Sequence, residues 1–159
     1  SLFTDNLMKI SSIDPYSIID IRHILISYIR IVIDHIDAGK GMQLYNMLGL
    51  DSLESSVAII KNVPSRKMGK KDIIKVDANI DLNLDLISFL SPNATVNIIE
   101  NEICKEKRKI SLPDRLTDVI KCKNPRCITT IEQDIRHEFV LTDRKKKEYR
   151  CIYCDTRAE

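Results

Sequence analysis

An α+β chain in two unequal pieces is predicted by three observations. Strand-like and helix-like stretches alternate from about residue 24 to residue 105. The polar residues 105–111 and then Pro113 interrupt that alternation. Beyond them four cysteines stand in two close pairs, Cys122 with Cys127 and Cys151 with Cys154. The length, 159 residues, suits one or two small domains. The division expected is an extension over 1–23, a first domain over 24–110 and a second over 111–159.

Each element of the first piece has a local reason. Residues 24–36 are rich in Ile and Val and include Tyr28, a composition of high β-propensity. That strand ends in Asp37-Ala38-Gly39, where Asp37 is placed to cap a helix running to about Leu48. In the helix Met42, Tyr45 and Leu48 recur at three-residue spacing beside Leu44 and Met47, and Gly49 suits the position past its end. A strand over 56–63, a turn-rich 64–69 and a strand over 72–79 follow. A second helix over 82–90 carries Leu82, Leu86, Phe89 and Leu90 on one side and stops before Pro92. Residues 94–100 and 103–105 supply the last strands, with Asn101-Glu102 at a hairpin position. Cys104 in that stretch reads as a small buried hydrophobe. The order βαββαβ matches a ferredoxin-like sandwich, one sheet covered on one face by two helices. Residues 1–23 show no clear period and contain the Asp14-Pro15 break, which fits an extension with at most a short helix.

The second piece is organised by its thiols. Two short brackets joined by one intervening segment are what tetrahedral Zn²⁺ requires, each bracket offering two sulfurs on a tight turn. Cys122, Cys127, Cys151 and Cys154 therefore read as one structural zinc site in a small all-β, zinc-ribbon-like domain. Four thiolates leave no coordination position for water or substrate, so such a metal holds a fold and does no chemistry. A redox pair at Cys151 and Cys154 is the competing reading; it leaves Cys122 and Cys127 without a role and lacks a surrounding βαβ pattern. Two disulfides are the other, and they belong to oxidising compartments.

Composition narrows the class further. The chain is 43% hydrophobic and 30% charged, with apolar runs that are short and broken by Asp, Arg and His, so no membrane span is expected. No basic segment followed by an apolar one marks secretion, and a cytoplasmic location with reduced cysteines is expected. Residues 105–159 carry 15 Lys and Arg against 10 Asp and Glu, while residues 1–104 carry 10 against 13. Four thiolates around one Zn²⁺ would leave the C-terminal piece at about +3, mild beside the dense basic stripe of a nucleic-acid binder. The basic run 144–147 reads as a solvated hairpin tip. Gly39-Lys40-Gly41 follows a strand and opens a helix, yet GxxxxGK[ST] is absent, so nucleotide hydrolysis is not indicated. His23, His35 and His137 are scattered, and no nucleophile has a supporting motif. An enzyme is not expected.

Five segments in order carry a resemblance. They are Val32-Ile33-Asp34-His35-Ile36-Asp37-Ala38-Gly39, Met68-Gly69-Lys70-Lys71-Asp72-Ile73-Ile74-Lys75, Ala94-Thr95-Val96-Asn97, Ser111-Leu112-Pro113 and Cys122-Lys123-Asn124-Pro125-Arg126-Cys127-Ile128-Thr129. Over roughly residues 24–159 the chain resembles the regulatory chain of aspartate carbamoyltransferase, the first committed enzyme of pyrimidine synthesis. The resemblance implies a non-catalytic protein that dimerises through an N-terminal nucleotide-binding domain and grips catalytic chains through a zinc domain. It implies CTP as inhibitor and ATP as a competing effector. It also implies that His35, Lys75 and Lys107 lie around ribose and phosphates, that Asp34 orders the site or holds a neighbouring cation, and that Asn97 hydrogen-bonds the nucleotide. A two-residue shift in Cys104-Lys105-Glu106-Lys107 would make Lys105 the ligand instead. Physically, a nucleoside triphosphate carries about four negative charges and needs cations or helix N-termini near its phosphates. A half-buried His or an exposed strand Lys is also commonplace without a ligand.

The chain departs from the resemblance in one place. Members of the family usually carry an Asn-Gly-Thr-like turn just before Val-Ile-Asp-His, whereas here Ile29-Arg30-Ile31 runs straight into Val32 and the segment is about two residues shorter. A reading of a different class, a zinc-ribbon nucleic-acid-binding protein, rests on the four cysteines and the run 144–147. It requires binding that weakens steeply with salt. No Trp is present, and Tyr149 and Tyr153 flank a cysteine where packing is expected rather than base stacking.

Overall fold

A computed structural model describes residues 29–159. Its first strand, β1 (Ile29–Asp37), alternates as an amphipathic strand should: Ile31 and Ile33 are buried, and Val32 and Asp34 at the alternate positions are half-buried. The start of the strand expected over 24–36, and the extension expected over 1–23, lie outside the described residues. Helix α1 (Gly41–Met47) follows, then a 3₁₀ turn (Leu50–Ser52). Gly49 takes the left-handed conformation, φ 68°, that ends α1 as its sequence position predicts.

The cap of α1 is not the one expected. Lys40 stands at the N-cap with no side-chain hydrogen bond, and Asp37 contributes only its carbonyl, which accepts from the Lys40 N–H at 3.0 Å. The side chain that serves the helix start is Asp72, 31 residues downstream of Gly41, whose Oδ2 accepts the Gly41 N–H at 3.0 Å and the Gly39 N–H at 3.1 Å.

Strands β2 (Val57–Ser65) and β3 (Gly69–Val76) form a hairpin through the turn at 66–68, so the turn is shorter and the strands reach further towards it than expected. Pro64 lies inside β2, and that is tolerated because β2 is an edge strand with a row of amides that need no partner. Helix α2 (Leu84–Leu90) is capped by Asn83, whose Oδ1 accepts the Leu86 N–H at 3.1 Å. Strands β4 (Thr95–Glu100) and β5 (Ile103–Lys109) turn on Asn101 and Glu102, both left-handed at φ 51° and 65°, the geometry of a two-residue hairpin.

The five strands form one antiparallel sheet in the order β2-β3-β1-β4-β5. The first four positions are the βαββαβ arrangement, with β5 added at the edge beyond β4. One face is apolar: Ile31, Ile33, Ile36, Ile74, Val76 and Val96 meet Leu44 of α1 and Leu86, Ile87 and Leu90 of α2. Burying one such side chain contributes about 1.5–3 kcal/mol, so this layer fixes the register of every strand in it. β5 is longer than expected and is exposed along its whole length, and Cys104 is exposed with it instead of buried. Its charged run Lys105-Glu106-Lys107-Arg108-Lys109 lacks any apolar alternation and suits an unpaired edge.

A second, three-stranded antiparallel sheet, β6-β7-β8, comprises β6 (Arg115–Thr117), β7 (Glu138–Asp143) and β8 (Glu148–Cys151). The one-turn helix α3 (Ile128–Ile131) lies between β6 and β7. Leu116, Phe139 and Tyr149 form its core together with the buried cysteines. The Tyr149 hydroxyl donates to the Pro113 carbonyl at 2.6 Å, and its ring meets Phe89 of α2 edge to face at 5.9 Å. Residues 144–147 are the tip of the β7–β8 hairpin, with Arg144 tied back to Asp114 at 2.6 Å. Tyr149 packs as expected; Tyr153 does not and is 48% exposed.

Candidate functional site

The face of the sheet turned away from the helices mixes charged and polar side chains with Val32, Ile60, Ile73 and Ile99, and register alone brings its residues together. Val32 of β1 stands opposite Lys75 of β3 on one side and Asn97 of β4 on the other, and Asn97 stands opposite Lys107 of β5. Directly paired residues project to the same face, so Lys75, Val32, Asn97 and Lys107 form one row across four strands. With strands about 4.8 Å apart the row spans about 14 Å. Lys105 is not in it: β4 and β5 slip register between Ile98 and Ile99, which takes Lys105 out of direct pairing and leaves Lys107 opposite Asn97.

One rung on, Asp34 pairs with Thr95 and Thr95 with Lys109. Here β1 bulges. Its register with β3 shifts between Ile33 and Ile36, and His35 sits in the bulge at φ 56°, a conformation that costs a non-glycine residue of order 1 kcal/mol or more. The bulge turns the His35 ring towards β4, where Nδ1 lies 3.3 Å from Thr95 Oγ1 and 3.6 Å from Asp34 Oδ2. The His35 N–H donates to Asp34 Oδ1 at 2.6 Å. Asp34 is paired with a cation, Lys71, at 2.8 Å. Burial works to raise the Asp34 pKa, but the hydrogen bonds from Lys71 and from the His35 N–H outweigh it and leave the carboxyl below its ordinary value. Arg30 lies on this face as well, two residues before Val32, with Nε 2.8 Å from Asp77 Oδ1.

Asp34, His35, Lys75, Asn97 and Lys107 are thus brought onto one sheet face. Lys71 was missed by sequence reasoning although it lies in a segment singled out there. Its signal was available: two and four residues before Ile73 and Lys75, it shares their face in any strand.

The four cysteines converge on a second centre. Cys122 Sγ lies 3.5 Å from Cys154 Sγ, Cys127 Sγ lies 3.7 Å from Cys151 Sγ, and all four sulfurs lie within 4.8 Å of one another. A disulfide would need about 2.05 Å, and none is present among them. Around a tetrahedral ion with metal–sulfur bonds of about 2.3 Å, sulfurs stand about 3.8 Å apart, so the spacing fits one metal. The backbone builds each bracket. Cys127 opens α3 and contacts Thr129 Oγ1 at 3.1 Å, while Cys151 and Cys154 bracket a turn closed by the Asp155 N–H on the Cys151 carbonyl. The Cys122 N–H donates to His137 Nδ1 at 3.1 Å. Burial pushes the Cys122 thiol up to about 12, and it pushes Cys151 up too. Burial also works to raise Cys154, but hydrogen bonds from Thr156 bring it down to about 6. For all four to be thiolates together, they need a cation among them. Beside this cluster lies a cleft of about 510 Å³ lined by Lys121, Thr129, Gln133, Arg136 and His137 among others.

Comparison with known proteins separates the same two regions. The family model described as the aspartate carbamoyltransferase regulatory chain, allosteric domain, matches residues 24–111, and the one described as its metal binding domain matches residues 114–159. The chain belongs to the family of aspartate carbamoyltransferase regulatory chains. A regulatory chain from Clostridium tetani is 52% identical over 126 residues, covering 79% of this chain and 88% of the relative. One from Clostridium botulinum is 50% identical over 125 residues, 79% and 86% of the two chains, and one from Bifidobacterium longum 39% identical over 129 residues, 81% and 93%. These relatives are regulatory chains, not catalytic ones, and this regulatory chain is likewise a non-catalytic subunit with an allosteric domain and a metal-binding domain. Its four-cysteine cluster is a structural metal site. Among the described residues no helix is long and apolar enough to cross a membrane.

Proposed function

We propose that this regulatory chain binds CTP and ATP competitively on the open face of its five-stranded sheet, and docks on catalytic chains of aspartate carbamoyltransferase through its metal-binding module. The same reading has it pair with a second copy of itself, hold one Zn²⁺ in Cys122, Cys127, Cys151 and Cys154, and work in the cytoplasm in pyrimidine synthesis. What supports nucleotide binding most is the register that lines up Lys75, Asn97 and Lys107 beside the Asp34–Lys71 pair. Lys75 and Lys107 would neutralise phosphates, His35 would reach ribose or phosphate, and Asn97 would hydrogen-bond the nucleotide. Asp34 would keep Lys71 in place.

Zinc is favoured over other metals by a donor set of four thiolates and the sulfur spacing. When bound it cross-links the two brackets and supplies no reactive position. The cleft beside the cluster, with Lys121 and Arg136 on its wall, offers a concave surface for a partner chain. Control of catalysis then follows from linkage: a nucleotide shifts activity only if it binds one quaternary state better than the other. A coupling of about 1–3 kcal/mol, roughly 5- to 150-fold in affinity, is typical. Titration of CTP and ATP into holoenzyme reconstituted with catalytic chains tests the proposal. Saturable, mutually competitive binding with a change in aspartate saturation is expected. Failure to assemble, or nucleotide indifference in both binding and activity, would overturn it.

A further inference from the structure

Among the described residues Asp72 is the only carboxylate that is fully buried, at 0% exposure. Its hydrogen-bond partners are three backbone amides: Gly39 and Gly41 donate to Oδ2 at 3.1 and 3.0 Å, and Asn62 donates to Oδ1 at 2.9 Å. The Asn62 amide comes from β2, and the two glycine amides come from the turn and helix start that follow β1. β1 slips register with β3 between Ile33 and Ile36, and β2 slips between Ile60 and Val63, so a bulge lies on each side of β3 at the level of Asp72. Each bulge holds a left-handed residue that is not glycine, His35 at φ 56° and Asn62 at φ 59°. A bulge takes amides out of the ladder, and a buried amide without an acceptor is costly. The Asp72 carboxylate is the acceptor for Asn62 in the β2 bulge and for the two glycine amides just past the β1 bulge, whose own His35 N–H goes to Asp34 Oδ1.

We propose that Asp72 is a positioning residue for the nucleotide face: it sets the bulge that presents Asp34 and His35, and it keeps its neighbour Lys71 aimed at Asp34. The inference rests on the reading that this face binds nucleotide, and it names a residue that touches no ligand. Asp72 pairs with Ile36, one residue past His35, and its Oδ2 fastens the loop that leaves β1. Alternation along β3 points Asp72 into the core and Lys71 to the open face, 2.8 Å from Asp34. Gly41 records how close the carboxylate comes: a Cβ there would stand 2.9 Å from Oδ2. Asn in place of Asp72 has the same shape but one acceptor and one amide donor. Its NH₂ must face either the Asn62 N–H or the two glycine N–H groups, and one clamp opens.

The full chain carrying Asp72→Asn or Gly41→Ala tests this, with two readouts. Amide hydrogen exchange without nucleotide should rise at His35, Gly39, Gly41 and Asn62 while the sheet core stays protected. ATP affinity should fall about tenfold in Asp72→Asn and less in Gly41→Ala, and the loss should be non-additive with Lys71→Ala because both act on one constellation. Unchanged exchange, unchanged ATP affinity in folded Asp72→Asn, or additive losses would overturn the inference while wild-type binding stands. If Asp72→Asn does not fold, Gly41→Ala decides, since it keeps the carboxylate and only displaces it; wild-type affinity there overturns the proposal. A wild-type chain that binds no ATP would sink the open-face reading and take this inference with it.

Discussion

Lys75 illustrates what a single residue contributes here. It sits half-buried in β3, an interior strand, on the open face of the sheet, where its charge is less screened than on the rim. Lys75→Ala should weaken both CTP and ATP by about 1.5–3 kcal/mol, roughly 10- to 150-fold, with the holoenzyme still assembled. Calorimetry of the two proteins reads this directly, and equal affinities would make Lys75 a solvated strand residue. Asp34 gives a pH signature. Its folded pKa is lowered, so the stability it contributes is complete above the unfolded value of about 3.9 and is lost as pH falls through the lower folded value. The expectation is a carboxyl titration by NMR that is displaced below an ordinary Asp and returns towards it in Lys71→Ala.

Elements were legible where the signal was local and obscure where it was not. The Asn101-Glu102 hairpin, the Gly49 stop of α1 and the burial of Leu86 and Leu90 follow from residues within a turn of one another. The start of α1 is different, because its acceptor comes from β3 and no window around Asp37 contains it. β5 was cut short at 105 because a charged edge strand has no periodicity to read; only its pairing with β4 defines it. The exposure of Cys104 follows from the same strand. The row of Lys75, Asn97 and Lys107 was reached by resemblance, and its physical basis is register, a property of three strand pairs. Strand β1 also carries a prediction. Arg30 lies within the strand without a left-handed φ and is paired to Asp77, so on the proposed reading the base would meet an extended, side-chain-bearing backbone there instead of a glycine turn. Phosphate-dependent affinity should survive, and discrimination between CTP and ATP should be reduced. Competition titrations against a glycine-bearing relative check it; an equally sharp preference would refute it.

At the scale of the molecule, the two sheets are joined by few groups that do much. Tyr149 lies in the core of the small sheet, holds the connecting Pro113 through its hydroxyl, and packs on Phe89 of α2. The small sheet has only three strands, and its core includes Cys122, Cys127 and Cys151. In domains of this size the metal supplies much of the folding free energy, about 10–16 kcal/mol for zinc modules at neutral pH. Cys151→Ser should therefore unfold residues 111–159 and abolish association with catalytic chains, while nucleotide binding by the larger sheet persists. Metal analysis, circular dichroism and gel filtration with catalytic chains provide the check. A variant that still assembles, or a wild-type chain without stoichiometric zinc, would contradict it.

The bulge at His35 has a consequence that belongs to arithmetic. Along a strand, inward-facing positions share one parity: Ile31 and Ile33 are odd, yet Ile36, equally buried, is even. One residue between them is supernumerary for folding. Deleting His35 would close the count, bringing Ile36 to the position that strict alternation assigns it and removing a left-handed residue. The shortened chain should keep its sheet and melt no lower than about 4–8 °C below the parent, the shift worth about 1 kcal/mol in a domain of this size. It should be silent to CTP and ATP. Insertions and deletions usually ruin a strand by flipping everything beyond them; here the reading frame of the pleat is already broken once, and the break is beside the side chains proposed to meet the ligand.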